Sequence, residues 1–296
     1  MNFRLFAIAL TAVFAMSLVP VLVRSVGANE VTIGAIRIGI ALLFLTPILL
    51  VKGTLKGLSF RDWLGMALVG LMFAAHWWTY FYAIKNSSAA LGAISLSTYG
   101  IHLVIISWAF GGHKLAPIDL CAVAVSFTGC ILVTPELNFS NETTWGFTVG
   151  VFSGLLYALL PLIHQRMAHI PTMTRSWGQF AFAGLFFLML WPQIEWPRSS
   201  GDWWPLAVMG IVSTLIGHTL WVKASTELPA IVTSTTYYFY IPIAMVLSFV
   251  FLDEEITPIM IAGASMIVGA NIAMAVMPVL KHRGLKNRTL KRQNLA

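Results

Sequence analysis

The residues best suited to chemistry lie in one short stretch, His76–Tyr82, which reads HWWTYFY. It lies in the second half of an apolar run, Trp63–Ile84, that is long enough to cross a bilayer as a helix. Histidine at membrane depth usually faces a bundle interior or a wet cavity. We therefore expect His76, Trp77 and Tyr80 to line a substrate cavity. An aromatic belt at the membrane interface is the alternative, and we prefer it for Trp78 and Tyr82, which share another face of the helix.

Two further apolar runs carry polar stripes at helical spacing. The first stripe is Ser95, Tyr99 and His102, and the second is Thr233, Thr236, Tyr237 and Tyr240. Hydroxyl groups commonly join membrane helices by hydrogen bonds, and this is our interpretation of the serine and the threonines. We expect the tyrosines and the histidine of both stripes to line the cavity, together with Tyr157 and His218 on two other runs.

Four histidines, His76, His102, His164 and His218, fall at membrane depth. Imidazole titrates near neutral pH, so proton coupling and neutral hydrogen bonding both stay open. No two of them are spaced as metal ligands on one helix, and no acidic residue accompanies them, so we expect neither a metal site nor a cofactor. No Asp or Glu lies deep in an apolar run, since Asp119 is at the very start of Ile118–Val133, and this also argues against a bulky cationic substrate.

Arg37 is the one arginine or lysine deep inside an apolar run, since Arg175 lies at the inner end of Met173–Trp191. Burying Arg37 costs about 3 kcal/mol on insertion scales. We expect it first to extend outward to the membrane surface or to pair with Glu30, two turns earlier on the same helix face. The functional alternative is that it belongs to the substrate site and attracts a carboxylate.

Small residues and prolines mark candidate hinges. Gly150 and Gly154 lie on a small-residue face that permits close approach of helices. Pro161 and Pro242 lack an N–H and can kink their helices, which would suit gating as well as plain packing. A similar small-residue face around Gly269 leaves a homodimer contact or close packing open.

Composition places these residues in a membrane. Of 296 residues, 58% are apolar and only 10% are charged, whereas soluble domains carry about a quarter charged residues. We expect an all-α integral membrane protein with short loops and no soluble domain. The predicted spans are Leu5–Val23, Val31–Val51, Trp63–Ile84, Ser88–Phe110, Ile118–Val133, Trp145–His164, Met173–Trp191, Trp204–Val222, Ala230–Phe251 and Thr257–Val279.

The distribution of Lys and Arg predicts the orientation. With the N-terminus in the cytoplasm, the outer loops hold only Arg24, Lys85 and Arg198, and the other loop and tail cations lie inside. Both termini are then cytoplasmic, in the cytoplasmic (inner) membrane. The basic tail, residues 281–296, follows a hydrophobic span, so we expect it to contact anionic lipid and not nucleic acid.

An internal repeat emerges when the second half is shifted by 141 positions. The matched pairs include Trp63 with Trp204, Tyr99 with Tyr240 and Pro117 with Pro258. The repeats cover residues 1–134 and 145–280, each with five predicted spans. An odd number of spans inverts the second repeat in the membrane, an arrangement typical of transporters with a site between the halves.

The second repeat also carries a family signature. The segments Tyr240–Ala244 (YIPIA) and Phe251–Thr257 (FLDEEIT), followed by Gly263 and Gly269, resemble the ninth and tenth helices of EamA-type transporters of the drug/metabolite transporter superfamily. Arg37 and the segment Phe81–Lys85 also match that pattern. The first repeat departs from it, with Ile101 at the position of the proline and His113 at that of the glutamate. The resemblance implies ten helices in two inverted five-helix repeats around a central cavity.

Together these features predict a secondary transporter. The expected substrate is a small amphipathic metabolite, such as an amino acid or a related compound, moved by alternating access. Export is the direction that the resemblance implies. A non-transporting scaffold or receptor is the alternative, and a membrane enzyme is disfavoured because no metalloprotease, nucleophile-elbow or phosphate-loop motif is present.

Overall fold

The computed structural model describes residues 3–111, 116–134, 138–228 and 230–293, with the backbone alone for residues 107, 111, 230, 231, 234, 275 and 278–293. Every regular element within these ranges is helical, which confirms the all-α prediction. The elements are α1 Phe3–Ser17, α2 Val19–Ser25, α3 Glu30–Lys52, α4 Phe60–Asn86, α5 Ala89–Leu96, α6 Tyr99–Gly111, α7 Pro117–Val133, α8 Glu142–Arg166, α9 Thr172–Met189, α10 Trp203–Val208, a π-helix Met209–His218, α11 Thr219–Glu227, α12 Ala230–Tyr237, α13 Tyr240–Leu252 and α14 Pro258–Gln293.

Length and composition make seven of the described helical stretches capable of crossing a membrane, and two shorter apolar helices accompany them. The outer surface of the bundle is correspondingly apolar: Val51 and Phe110 are each 89% exposed and Phe60 is 81% exposed. A water-soluble protein rarely presents apolar surface on this scale. The chain is therefore a multi-pass membrane protein.

The fourth predicted span, Ser88–Phe110, is not one continuous helix, because α5 ends and α6 begins on either side of Ser97 and Thr98. The Ser97 hydroxyl donates to the carbonyl oxygen of Ile94 at 2.5 Å, and the Thr98 hydroxyl donates to that of Ser95 at 2.7 Å. Side chains that bond the local backbone in this way compete with the regular helical ladder. The sequence analysis missed this interruption.

The ninth predicted span, Ala230–Phe251, is interrupted between α12 and α13 at Tyr238 and Phe239. This second break lies 141 positions after the first, at the offset of the internal repeat. Pro242 falls in the first turn of α13, where its missing N–H costs nothing. The discontinuity therefore precedes the proline, whereas α8 continues through Pro161 without a break.

The eighth predicted span contains a π-helix of ten residues, Met209–His218. Wider turns of this kind are rare and occur frequently at functional sites. The Thr214 hydroxyl donates to the carbonyl oxygen of Met209, five residues earlier, at 2.8 Å. Nothing in the hydrophobic pattern indicates this feature.

Loop contacts between distant parts of the chain fall into two groups, one at each end of the bundle. At the end that the charge pattern assigns to the outside, the Gly27 N–H donates to Asp202 at 3.1 Å and Asn29 donates to the Gln193 carbonyl oxygen at 2.7 Å. At the opposite end, Asp62 contacts His169 at 2.8 Å. Loop contacts therefore hold both ends of the bundle together.

Close helix packing supports the interpretation of the small-residue face on α8. A Cβ atom added to Gly154 would lie 2.7 Å from Thr98 Oγ1 and 3.3 Å from the backbone nitrogen of Tyr99. A Cβ atom added to Gly150 would lie even closer to its neighbour, 2.0 Å from Ser95 Oγ. A Cβ atom at Gly269 on α14 would meet nothing within 4 Å, so that glycine is not needed for packing within the chain.

Two predictions fall wholly or partly outside what the structure describes. His113 lies in the segment 112–115, outside the described residues. The basic tail, predicted for residues 281–296, is described by its backbone up to residue 293, where α14 continues as a helix well past Val279.

Candidate functional site

The aromatic stretch of α4 lies at the centre of the bundle. Trp77 is 1% exposed, and His76, Tyr80 and Phe81 are also buried. Trp78, on another face of the same helix, is 42% exposed. The stretch therefore presents one aromatic face to the interior and another to the surroundings of the bundle.

A hydrogen bond between two tyrosines crosses the centre. Tyr80 Oη lies 2.5 Å from Tyr240 Oη, so that α4 and α13, which belong to different halves of the sequence, are joined directly. The Tyr80 ring stacks on His76 with ring centroids 5.6 Å apart, and the Tyr240 ring stacks on Tyr237 at 5.5 Å. Stacked and tilted ring pairs of this kind add to the stabilisation from burial.

Further rings continue this cluster across the midline. Tyr237 lies 4.7 Å from Tyr99, 5.3 Å from Tyr157 and 5.1 Å from Trp221, measured between centroids. These four residues come from α12, α6, α8 and α11. The predicted residues Tyr99, Tyr157, Tyr237 and Tyr240 are thus brought together, and Trp221 is a member that the sequence analysis missed.

Arg37 is completely buried against this cluster, and this corrects the expectation that it extends outward or pairs with Glu30. Its guanidinium carbon lies 3.9 Å from the centroid of Trp77, and its Nε donates to Thr214 Oγ1 at 3.0 Å. Attraction to the ring face compensates part of the lost hydration. Glu30 begins α3 about 10 Å away along the helix axis, at about 1.5 Å per residue. Among the described residues, neither Nη1 nor Nη2 has a hydrogen-bond partner.

Two of the predicted histidines border the cluster. The Ser153 hydroxyl donates to the His76 carbonyl oxygen at 2.8 Å, so His76 Nδ1 is the donor in its 2.7 Å contact with Ser153 Oγ. In a neutral ring this leaves Nε2 as an acceptor. His218 packs edge-on against Phe73 with centroids 5.0 Å apart and lies 5.4 Å from Trp77.

His102, by contrast, does not join the other predicted residues. Its Nε2 lies 3.1 Å from the carbonyl oxygen of Val151 on α8, and the side chain is half-buried. The break before α6 separates Ser95 from Tyr99 and His102, so the three residues of the predicted stripe no longer share one helical face. Ser95 accordingly contacts the backbone of its own helix through Gly92.

The space between the central residues is small. It amounts to about 20 Å³, enough for about one water molecule. The lining residues are Met16, Val19, Arg37, His76, Trp77, Tyr80, Phe81, Leu96, Tyr157, His218, Tyr237 and Tyr240. Ligand pockets usually have several hundred Å³, so in this structure the rings fill the place where the sequence predicts a cavity.

A second small space of about 10 Å³ lies beside the first, and both are lined by Tyr157 and His218. Its lining also includes His164 and Gln179, with His164 Nε2 2.7 Å from Gln179 Oε1. Pro161, one of the predicted hinge residues, also lines it. The two spaces follow one another from the aromatic centre towards the end of α8.

A larger groove, of about 570 Å³, lies between α13 and α14. Pro242 and Gly269 lie in this groove and not at the centre. Its lining is almost entirely apolar, and it is flanked by exposed side chains such as Phe249 and Val246. A groove of this character suits lipid chains better than a polar metabolite.

A carboxylate joins the two halves at the predicted outer end. Glu254, in the loop after α13, accepts hydrogen bonds from the backbone N–H groups of Ala89 at 2.8 Å and Ala90 at 3.0 Å. These are unpaired donors of the first turn of α5, where negative charge is favourable. The family signature had singled out Glu254, but its partner could not be found from sequence spacing.

The model of the EamA-like transporter family matches residues 5–134 and again residues 144–276. The chain belongs to the EamA-like transporter family. Its relatives include a pseudopaline exporter of Pseudomonas aeruginosa, 26% identical over 275 residues that cover 90% of this chain and 94% of the relative. An uncharacterized transporter of Archaeoglobus fulgidus is 27% identical over 218 residues, covering 72% of this chain and 74% of that protein.

A crystal structure of another protein shows the same fold. It superposes with a TM-score of 0.69 at 19% sequence identity, over 96% of this chain and 99% of that chain. Family membership and the names of the relatives indicate a membrane transporter and not an enzyme. The buried aromatic cluster brings Arg37, His76 and several tyrosine hydroxyl groups together between the two halves of the chain, and it is therefore the candidate transport site.

Proposed function

We propose that this EamA-like protein is a secondary transporter that exports small amphipathic metabolites, such as amino acids or related compounds, by alternating access. The observation that carries the proposal is the closed aromatic centre, in which Tyr80 and Tyr240 bond across the two halves of the chain. A contact of this kind can separate when the halves move apart, and a substrate can replace it. The rings supply apolar contact and their hydroxyl and imidazole groups supply polar contact.

The architecture proposed is ten spans in two inverted five-helix repeats. In such an arrangement, each contact between the two repeats has a counterpart in which the repeats are exchanged. α4 packs on α8, and the counterpart is the packing of the π-helix and α11 on α1. α4 also packs on α9, and the counterpart is the packing of the π-helix on α3. The equivalent helices α7 and α14 pack against each other. Helix breaks at equivalent positions, in the fourth and ninth spans, support the same arrangement. Broken helices that meet at midplane are a common feature of transporter sites.

Alternating access requires a seal at each end that opens in turn. The loop contacts described above provide candidates: Glu254 with α5 and Asp202 with Gly27 at the predicted outer end, and Asp62 with His169 at the inner end. Gly150 and Gly154 pack closely on Ser95 and Thr98 of the broken fourth span, and these two glycines provide a smooth surface on α8 for movement against that span. Pro161 and Pro242 remain proposed hinge residues.

Direction and orientation are part of the same proposal. The charge pattern supports cytoplasmic termini in the inner membrane, and the name of the Pseudomonas aeruginosa relative supports export. We also propose that transport is coupled to protons through His76 and His218. A pH gradient imposed across proteoliposomes that contain the protein would test this coupling. A homodimer contact along α14 is tested separately by the mass of the purified protein.

The experiment is solute flux in proteoliposomes, with labelled amino acids as the first panel. We expect uptake above that of empty liposomes for at least one amphipathic compound. Trp77→Ala should abolish this flux because it removes a buried ring of the centre, whereas Trp78→Ala on the exposed face should retain it. Equal loss in both variants, or no flux above empty liposomes across the panel, would refute the proposed site or the proposed function respectively.

A further inference from the structure

We propose that the transported compound carries a carboxylate, and that this carboxylate binds the Nη1 and Nη2 edge of Arg37. This inference rests on the proposed function, because it names the substrate class of the same site. It starts from a buried cation that the fold holds in place without completing its hydrogen bonds. Burying a charge with unpaired donors is costly, so such a group needs a specific explanation.

A second buried arginine shows how this fold satisfies a structural guanidinium. Arg175 on α9 is 2% exposed, and its Nε donates to the Ile170 carbonyl oxygen at 3.0 Å. Its Nη1 donates to the His164 carbonyl oxygen and to Thr226 Oγ1, each at 3.0 Å. Its Nη2 has a longer contact of 3.4 Å with Thr172 Oγ1. All three nitrogens of Arg175 are therefore engaged, whereas only Nε of Arg37 is.

The partners of Arg37 hold it in one orientation. Thr214 accepts from Nε, and the guanidinium lies over the rings of Trp77 at 3.9 Å and Phe81 at 5.0 Å. With Nε occupied, the free donors are the pair Nη1 and Nη2 at the end of the group. These two nitrogens form the planar edge that receives both oxygens of one carboxylate.

Charge at the site also selects an anion. The side chains lining the central space include Arg37 and no acidic residue. A cationic substrate would meet this fixed positive charge in a medium of low dielectric, where repulsion is strong. A carboxylate would neutralise it, and the surrounding rings would contact the apolar part of the same molecule. The structure thus assigns one end of the substrate to Arg37 and the other to the aromatic cluster.

The test uses matched compounds that differ only in the charged group: phenylacetate against phenylacetamide, and L-phenylalanine against L-phenylalaninamide and phenethylamine. Ligand-induced shifts in the melting temperature of the purified protein are measured first, and flux in proteoliposomes follows. We expect the acids to stabilise the wild-type protein at concentrations at least about tenfold lower than the amides require, as expected for loss of a charge-assisted pair. Arg37→Gln should remove this preference for acids, whereas Arg37→Lys, which keeps the positive charge, should retain part of it.

Arg175→Gln is the control variant. It should lower the melting temperature of the ligand-free protein, because it removes hydrogen bonds to protein groups. It should keep the preference for acids, because the proposed carboxylate site does not include Arg175. The inference is overturned if amides stabilise as well as acids, if the preference survives in Arg37→Gln, or if none of the acids gives a shift. Flux of an amide or amine through the wild-type protein, without a preference for acids, would overturn the inference while leaving the proposed transport function intact.

Discussion

The carboxylate of Glu254 should determine how firmly the first turn of α5 is held. Replacing it with alanine removes both acceptors of the Ala89 and Ala90 N–H groups, which lie 2.8 Å and 3.0 Å from its oxygens. Hydrogen bonds to charged groups contribute about 1.5–3 kcal/mol, and Glu254 is only half-buried, so we take the lower end of that range for the pair. A loss of about 1.5 kcal/mol corresponds to a roughly tenfold change in the local opening equilibrium.

Hydrogen exchange measured by mass spectrometry on peptides covering the start of α5 provides the assay. The two amides should exchange roughly ten times faster in Glu254→Ala, because unprotected first-turn N–H groups have no helical acceptor. Glu255→Ala is the matched control, since that side chain is exposed and adjacent in sequence. Unchanged exchange in Glu254→Ala, or equal acceleration in both variants, would refute the assignment of Glu254 as the cap that joins the halves.

Three further predictions concern packing and transport. Gly154→Ala should lower the melting temperature, because overpacking against Thr98 costs about 1–3 kcal/mol of stability. Gly269→Ala should not lower it, because the added methyl group enters open space. Equal effects of the two substitutions in thermal melts would contradict the packing described. Pro242→Ala should change the turnover rate more than the apparent substrate affinity, because Pro242 lies beside the helix break and outside the central cluster; a loss of affinity alone in flux kinetics would argue that it shapes the pocket. His76→Ala and Tyr99→Phe should each reduce flux while membrane insertion stays intact, and unchanged flux in both variants would place the transport site elsewhere.

Features that depend on composition and spacing could be predicted from the sequence. The apolar runs predicted the helical fold class. The 141-position repeat relates the two helix breaks to each other, although neither break was predicted. The aromatic stretch of α4 indicated the centre of the bundle because lipid contact alone does not require so many rings. Charge placement near the ends of the runs supplied the proposed orientation.

Contacts between distant segments could not be predicted. Arg37 contacts Trp77 and Thr214, which lie on two other helices. The free-energy cost of burying an arginine alone therefore led to the wrong prediction that Arg37 extends to the membrane surface. The stripe of Ser95, Tyr99 and His102 was predicted on a continuous helix, and the break at Ser97 and Thr98 separates Ser95 from the other two. Local signals for the break existed, since Ser and Thr cluster there and bond the preceding turn, but the same residues also occur in unbroken membrane helices.

Access to the central space from both sides of the membrane is the most direct test of the proposed mechanism. Leu96 is 2% exposed and lines that space. In a chain whose two free cysteines, Cys121 and Cys130, are replaced by serine, a Leu96→Cys variant is treated with a membrane-impermeant thiol reagent. The reagent is added to right-side-out vesicles and, separately, to inside-out vesicles. Alternating access predicts that Leu96→Cys is labelled from either side. Phe249→Cys, on the apolar outer surface, is the control and should stay unlabelled. Labelling of Leu96→Cys from one side only, or from neither, would contradict alternating access.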